Sequence, residues 1–108
     1  MPVRSTRRRY LWIHLETDAT LDADSLSNVI DAKIHYLYGV KGAVEMNLRL
    51  IEYIPDGKSA IIRCSHNRLN EMRAVLAHIS DIHGEPARID VLRVSGTIKS
   101  LKKHINQS

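Results

Sequence analysis

The chain has one cysteine, no phenylalanine, and no acidic residue within residues 1–10 or 93–108. A lone cysteine, Cys64, excludes an internal disulfide framework and fits a reducing cytosol. Among apolar neighbours it reads as a small buried strand residue rather than a reactive thiol. No apolar run approaches the roughly 20 residues that span a bilayer. The basic first residues lack the apolar stretch of a signal peptide, so a cytoplasmic protein without membrane contact is expected. The six histidines, His14, His35, His66, His78, His83 and His104, are scattered, with no His-x-His, Cys-x-x-Cys or His-Glu-x-x-His pattern. His78 and His83 flank a predicted helix end at a spacing poor for chelation. No metal site is therefore expected, and without a Walker loop or dinucleotide fingerprint no bound cofactor either. A stand-alone nuclease would need a general base and a metal cluster, and neither is visible; no catalytic residue is assigned.

What is present is one domain, residues 1–108, long enough for a single core, with 44% apolar residues. The net charge of +4 says little by itself, but its distribution says more. Arg4, Arg7, Arg8 and Arg9 load the N-terminal arm (about 1–7) and the strand after it. Arg93, Lys99, Lys102 and Lys103 load the C-terminal end. The stretch between them holds eight basic and twelve acidic residues. Two basic ends read either as a nucleic-acid-binding surface or as a pair of solvated tails.

The pattern along the chain is regular. Residues 8–17 alternate, with Leu11, Ile13 and Leu15 on one side and Tyr10, Trp12 and His14 on the other, which predicts a strand. Asp22 and Asp24 are N-cap candidates for a helix running to about Tyr38, with Leu26, Val29, Ile30, Ile34 and Leu37 as its buried stripe. Gly39 is placed as its left-handed cap, followed by a tight connection through Gly42. Residues 44–54 read as a second strand, and Pro55-Asp56-Gly57-Lys58 as a hairpin turn. Ala60 to Cys64 forms a third strand that feeds, through Ser65-His66-Asn67, a helix with Leu69, Met72, Leu76 and Ile79 on one face. Asp81 to Pro86 returns the chain to a fourth strand, Arg88 to Val94. Ser95-Gly96-Thr97 then caps a basic C-terminal helix, within about 96–105, with Ile98, Leu101 and Ile105 as its stripe.

The order β-α-β-β-α-β predicts an α+β fold: a ferredoxin-like, RNA-recognition-motif-like α/β sandwich with a four-stranded antiparallel sheet, plus the C-terminal helix. With strand order 4-1-3-2, the start of strand 1 and the ends of strands 3 and 4 share one edge. That edge collects Arg7, Arg8, Arg9, Lys41, Arg63, His66, Arg68, the Ser95-Gly96-Thr97 cap and Lys99, with Lys102 and Lys103 further along the last helix. The other edge collects Glu16, Asp18, Asp22, Asp24, Asp56, Asp81 and Glu85. A rim of basic side chains beside helix N-termini suits phosphate. RNA-recognition-motif proteins stack bases on aromatics of their central strands, yet the third strand here has none. Trp12 and Tyr10 read as core, or as covered by the terminal helix, sooner than as a stacking platform. Backbone and shape recognition of a folded RNA is therefore expected. The competing reading is a ferredoxin-like regulatory or assembly module without RNA contact. A metabolite site would need converging polar groups in a pocket, and none is identifiable.

Gly39-Val-Lys-Gly-Ala, Asn47-Leu-Arg-Leu-Ile-Glu-Tyr53, Ile61-Ile-Arg-Cys-Ser-His66, Arg73-Ala-Val-Leu76 and Val94-Ser-Gly-Thr-Ile-Lys99 follow one another in an order and spacing that resembles the ribonuclease P protein component 2 family, shared by archaeal and eukaryotic ribonuclease P and RNase MRP. The resemblance covers residues 7 to 103, and the compact length is similar to archaeal members. Ile54-Pro55 departs from it, standing where relatives commonly place an acidic residue. The resemblance implies a non-catalytic subunit in a particle whose RNA, with bound Mg²⁺, cuts the 5′ leader from precursor tRNA. It also implies a protein partner, the TIM-barrel-like ribonuclease P protein component 3, in a dimer of heterodimers. That partner is expected on apolar surface around Trp12, Tyr36 or Tyr38, with buried core as the equal alternative for those side chains.

Overall fold

The structure, a computed structural model, describes residues 7–56 and 58–106; Arg4, most of the N-terminal arm and Gly57 lie outside the described residues. Strand β1 spans Arg8–Thr17, helix α1 Ala23–Met46, β2 Arg49–Ile54, β3 Ser59–Ser65, α2 Leu69–His78, β4 Asp81–Ile82, β5 Glu85–Ser95 and α3 Ile98–Asn106. A 3₁₀ turn, His66–Arg68, joins β3 to α2. All strand pairs are antiparallel, in the order β2-β3-β1-β5-β4.

The four long strands lie in the expected order, but the sheet has five strands. The extra one, β4, occupies the stretch expected to be a return loop. His83 and Gly84 both take positive φ, 52° and 82°. That is the backbone of a two-residue hairpin whose twist matches its strands, and it lets Ile82 pair with Glu85.

The first helix starts as expected, at one of its two candidate caps, and differs from expectation at its far end. Asp22, not Asp24, is its N-cap: the Ser25 N–H donates to Asp22 Oδ1 at 2.7 Å. Gly39 does take a positive φ, 74°, but with ψ at −174° it kinks the helix instead of ending it. The chain resumes helical geometry through Met46, so residues 44–46 are helical and β2 begins only at Arg49. Burial explains the continuation: Met46, on the resumed segment, is 1% exposed within the core, and burying such a side chain is worth roughly 1.5–3 kcal/mol.

Helices α1 and α2 cover one face of the sheet. Leu11, Ile13 and Leu15 of β1 and Ala60, Ile62 and Cys64 of β3 meet Leu26, Ile30, Ile34, Met72, Val75 and Leu76 in one core. On the other face, Trp12 stands in register with Ile61 on one side and Arg93 on the other. Helix α3 lies there. Ile61 and Leu101 are buried outside the main core, and Lys102 Nζ reaches Glu52 Oε1 on β2 at 2.9 Å. Thr97 is its N-cap, its Oγ1 accepting from the Ser100 N–H at 3.2 Å. The molecule therefore has three layers, with the sheet between two helices and one.

Candidate nucleic-acid interface

The register gathers one rim. Arg8 pairs with Ser65 and Arg9 with Cys64, and Tyr10 lies between Arg63 and Ser95. The Arg7 carbonyl accepts from the His66 N–H at 3.0 Å, and His66 Nδ1 lies 3.2 Å from the same oxygen. This ties the start of β1 to the turn after β3. Arg9 donates to the Arg8 carbonyl at 3.1 Å, and its Nη1 passes within 3.7 Å of where a β-carbon at Gly96 would sit. Ser95, Gly96 and Thr97 thus stand beside the arginines of β1, with Lys99 in the first turn of α3. Ser95 Oγ accepts from the Thr97 N–H at 3.3 Å.

The remaining basic residues of the sequence-based set differ in what their charge meets. Arg7, Arg8, Lys41, Lys99 and Lys103 are exposed, and Arg9 and Arg63 half-buried. Lys102 is held by Glu52. Arg68 has its charge met within the protein, its Nη1 3.0 Å from Glu71 Oε2 and its Nη2 3.0 Å from Glu45 Oε1. Those bonds, that to Glu71 foremost, raise the Arg68 pKa. The Glu71 carboxyl is held below its usual range by its own backbone N–H and then by Arg68. Lys41, Arg68 and Glu71 border a cleft between the resumed part of α1 and the start of α2. No side chain caps α2, which continues directly from the 3₁₀ turn His66–Arg68.

At the far end of the sheet, Glu16, Asp18 and Arg88 border a second cleft. His83 lies near enough to Asp22 to add to the lowering of its carboxyl pKa, which is due first to the Ser25 amide. Asp56, Asp81 and Glu85 are exposed at the turns of that end.

Two cationic residues absent from the sequence-based set stand on the adjoining strands. Arg49 sits directly opposite Arg63, and Arg93 opposite Trp12, both on the α3 face. Strand alternation alone could not place them, because bulges at Leu50/Glu52 and Trp12/Ile13 shift the register. Trp12 is half-buried, its Nε1 shielded and without a hydrogen-bond partner. Tyr36 is 81% exposed and Tyr38 38%, and Val40 and Val44 of α1 are exposed as well. Burial pushes the Cys64 thiol up to about 11, which makes it a packing residue. Among the described residues no cluster of three or more His, Cys, Asp or Glu side chains could hold a metal, and no helix is long and apolar enough to cross a membrane.

A model of the Rpp14/Pop5 family matches residues 9–106. Among curated proteins, a ribonuclease P protein component 2 of Pyrococcus abyssi is 31% identical over 103 residues, covering 94% of this chain and 86% of the relative. Proteins of the same name from Pyrococcus horikoshii and Methanosarcina acetivorans are each 28% identical, over 94% and 92% of this chain and 85% and 74% of theirs. A chain in the cryo-EM structure of yeast ribonuclease MRP shares the fold, with a TM-score of 0.65 at 14% identity over 98% of this chain and 94% of that one.

Proposed function

Because the chain belongs to the Rpp14/Pop5 family, we propose that it is a non-catalytic protein subunit of ribonuclease P, binding the catalytic RNA and stabilising it for 5′ leader removal from precursor tRNA. The name shared by its relatives supports this reading. The observation that carries it is the gathering of Arg7, Arg8, Arg9, Arg63, His66, Ser95, Gly96 and Thr97 on one rim, which brings both basic ends of the sequence together. Their charge, with that of Lys41, Lys99 and Lys103, neutralises crowded phosphates and lowers the Mg²⁺ that the RNA needs; the protein itself binds no cofactor. Long-range order in the sheet, with β1 between β3 and β5, supports the ferredoxin-like description of the fold. The partner protein is ribonuclease P protein component 3, in a dimer of heterodimers. It docks on exposed side chains of α1, among them Tyr36, Tyr38, Val40 and Val44, and the particle works in the cytoplasm.

A filter-binding titration of the chain with ribonuclease P RNA tests the first claim. Affinity should fall with salt on a log–log slope of roughly −0.7 to −0.9 per phosphate neutralised. Precursor-tRNA cleavage should need the RNA and not occur with the protein alone. Salt-independent binding, or cleavage by the protein alone, overturns the proposal.

A further inference from the structure

Arg49 on β2 stands opposite Arg63 on β3, and Arg63 opposite Tyr10 on β1. Their chain neighbours Ile62 and Leu11 belong to the main core, and Leu50 packs against it. By alternation the three side chains therefore project from the other face, the one that carries α3. Like charges paired across adjacent strands lie with β-carbons roughly 5 Å apart and destabilise the sheet. The nearest carboxylate along β2, Glu52, is occupied by Lys102. Among the described residues neither arginine has an ion-pair or hydrogen-bond partner. Arg63 Nε is moreover buried with its hydrogen-bonding capacity unused, and a partly desolvated cation without a counter-ion is costly.

A pair so placed lacks an anion with several acceptor oxygens, and guanidinium forks match phosphate oxygens bidentately. We propose that Arg49 and Arg63 together grip one backbone phosphate of the bound RNA on the α3 face of the sheet, beside Tyr10. This extends the interface from the rim onto that face. The inference rests on the RNA-binding reading above but has its own point of failure.

The test compares the wild-type chain with Arg49→Gln, Arg63→Gln, the double variant and Arg88→Gln, an equal charge loss at the far end of the same face. Ribonuclease P RNA is the probe. Each single change at the pair should weaken binding about three- to tenfold and reduce the salt slope by about one. The double variant should lose little more than either single, since one shared phosphate is lost in all three. Arg88→Gln should bind like the wild type. In low salt without RNA, Arg49→Gln should melt at a higher temperature than the wild type, because the repulsion is relieved. Wild-type binding with an ordinary salt slope, unaffected by Arg49→Gln and Arg63→Gln, overturns this inference and leaves the function intact; so do losses that multiply in the double variant. An unchanged or lowered melting temperature for Arg49→Gln overturns it without reference to RNA. Failure of the wild-type chain to bind at all overturns the functional reading instead.

Discussion

Lys102 of α3 spans the sheet to reach Glu52 of β2, with 2.9 Å between Nζ and Oε1. Both side chains are close to half exposed, so this ion pair contributes at most about 1 kcal/mol. The helix is fastened by Leu101, which is fully buried beneath it. Leu101→Ala should cost about 2–5 kcal/mol in urea unfolding, and Lys102→Ala less than about 1 kcal/mol. Equal losses would mean that α3 is held by charge.

Gly39 kinks α1 at φ 74° and ψ −174°, backbone space that is essentially reserved for glycine. A β-carbon there would meet nothing within 4 Å, so Gly39→Ala isolates backbone strain from steric clash. It should destabilise the chain by about 1–3 kcal/mol. Gly42→Ala would fail for the opposite reason, since its β-carbon would collide with Tyr38 Cβ. Thermal melts of the two variants, with a crystal structure of the first, check this.

The Glu71 carboxyl titrates below its ordinary 4.5 in the folded chain. Its folded pKa is the lower one, so it stabilises the fold above that ordinary value and the contribution is lost as pH falls through the folded pKa. Arg68→Met removes one cause of the lowering and leaves the other, the residue's own backbone N–H. The variant should therefore lose stability less steeply than the wild type as pH is lowered through about 4. Parallel acid limbs in pH-dependent unfolding would contradict the assignment.

Cys64, with its pKa pushed up to about 11 by burial, should resist thiol reagents at neutral pH, because the thiolate is the reacting form. Labelling should follow global unfolding. Rapid labelling of the native chain would show that β3 opens locally.

Replacing Arg7, Arg8 and Arg9 together with glutamate should weaken ribonuclease P RNA binding and flatten its salt dependence by about three phosphates. Circular dichroism should stay unchanged, since Arg7 and Arg8 are exposed and Arg9 only half-buried. Normal affinity with the wild-type salt slope would remove these residues from the interface.

Much of this architecture is legible in the residues alone. Alternation in β1, the three-and-four spacing in α2 and the Thr97 cap of α3 each express local backbone preferences, so short windows of sequence contain them. The order of the long strands follows from the handedness of crossovers and the lengths of the connections. The helix that continues past Gly39 was not legible there. Nothing local separates a glycine that ends a helix from one that bends it; the buried seat of Met46 decides. Strand β4 is not legible for a related reason, because a two-residue strand has no periodicity of its own and exists only by pairing with β5.

The candidate interface divides the same way. Chain order and composition placed arginines and lysines at both ends of the sequence, and the crossover rules brought those ends to one rim. Which charges remain available there is a tertiary matter: Glu45 and Glu71 converge on Arg68 from different helices, and Glu52 meets Lys102 from across the sheet. The facing of Arg49 and Arg63 depends on a strand register shifted by a bulge. Local sequence sets which way a backbone turns and which face is apolar, since those preferences act over a few residues. Pairing across strands and helices sets which charges are cancelled and which stand open, because Coulomb interactions depend on distances that only the folded chain defines.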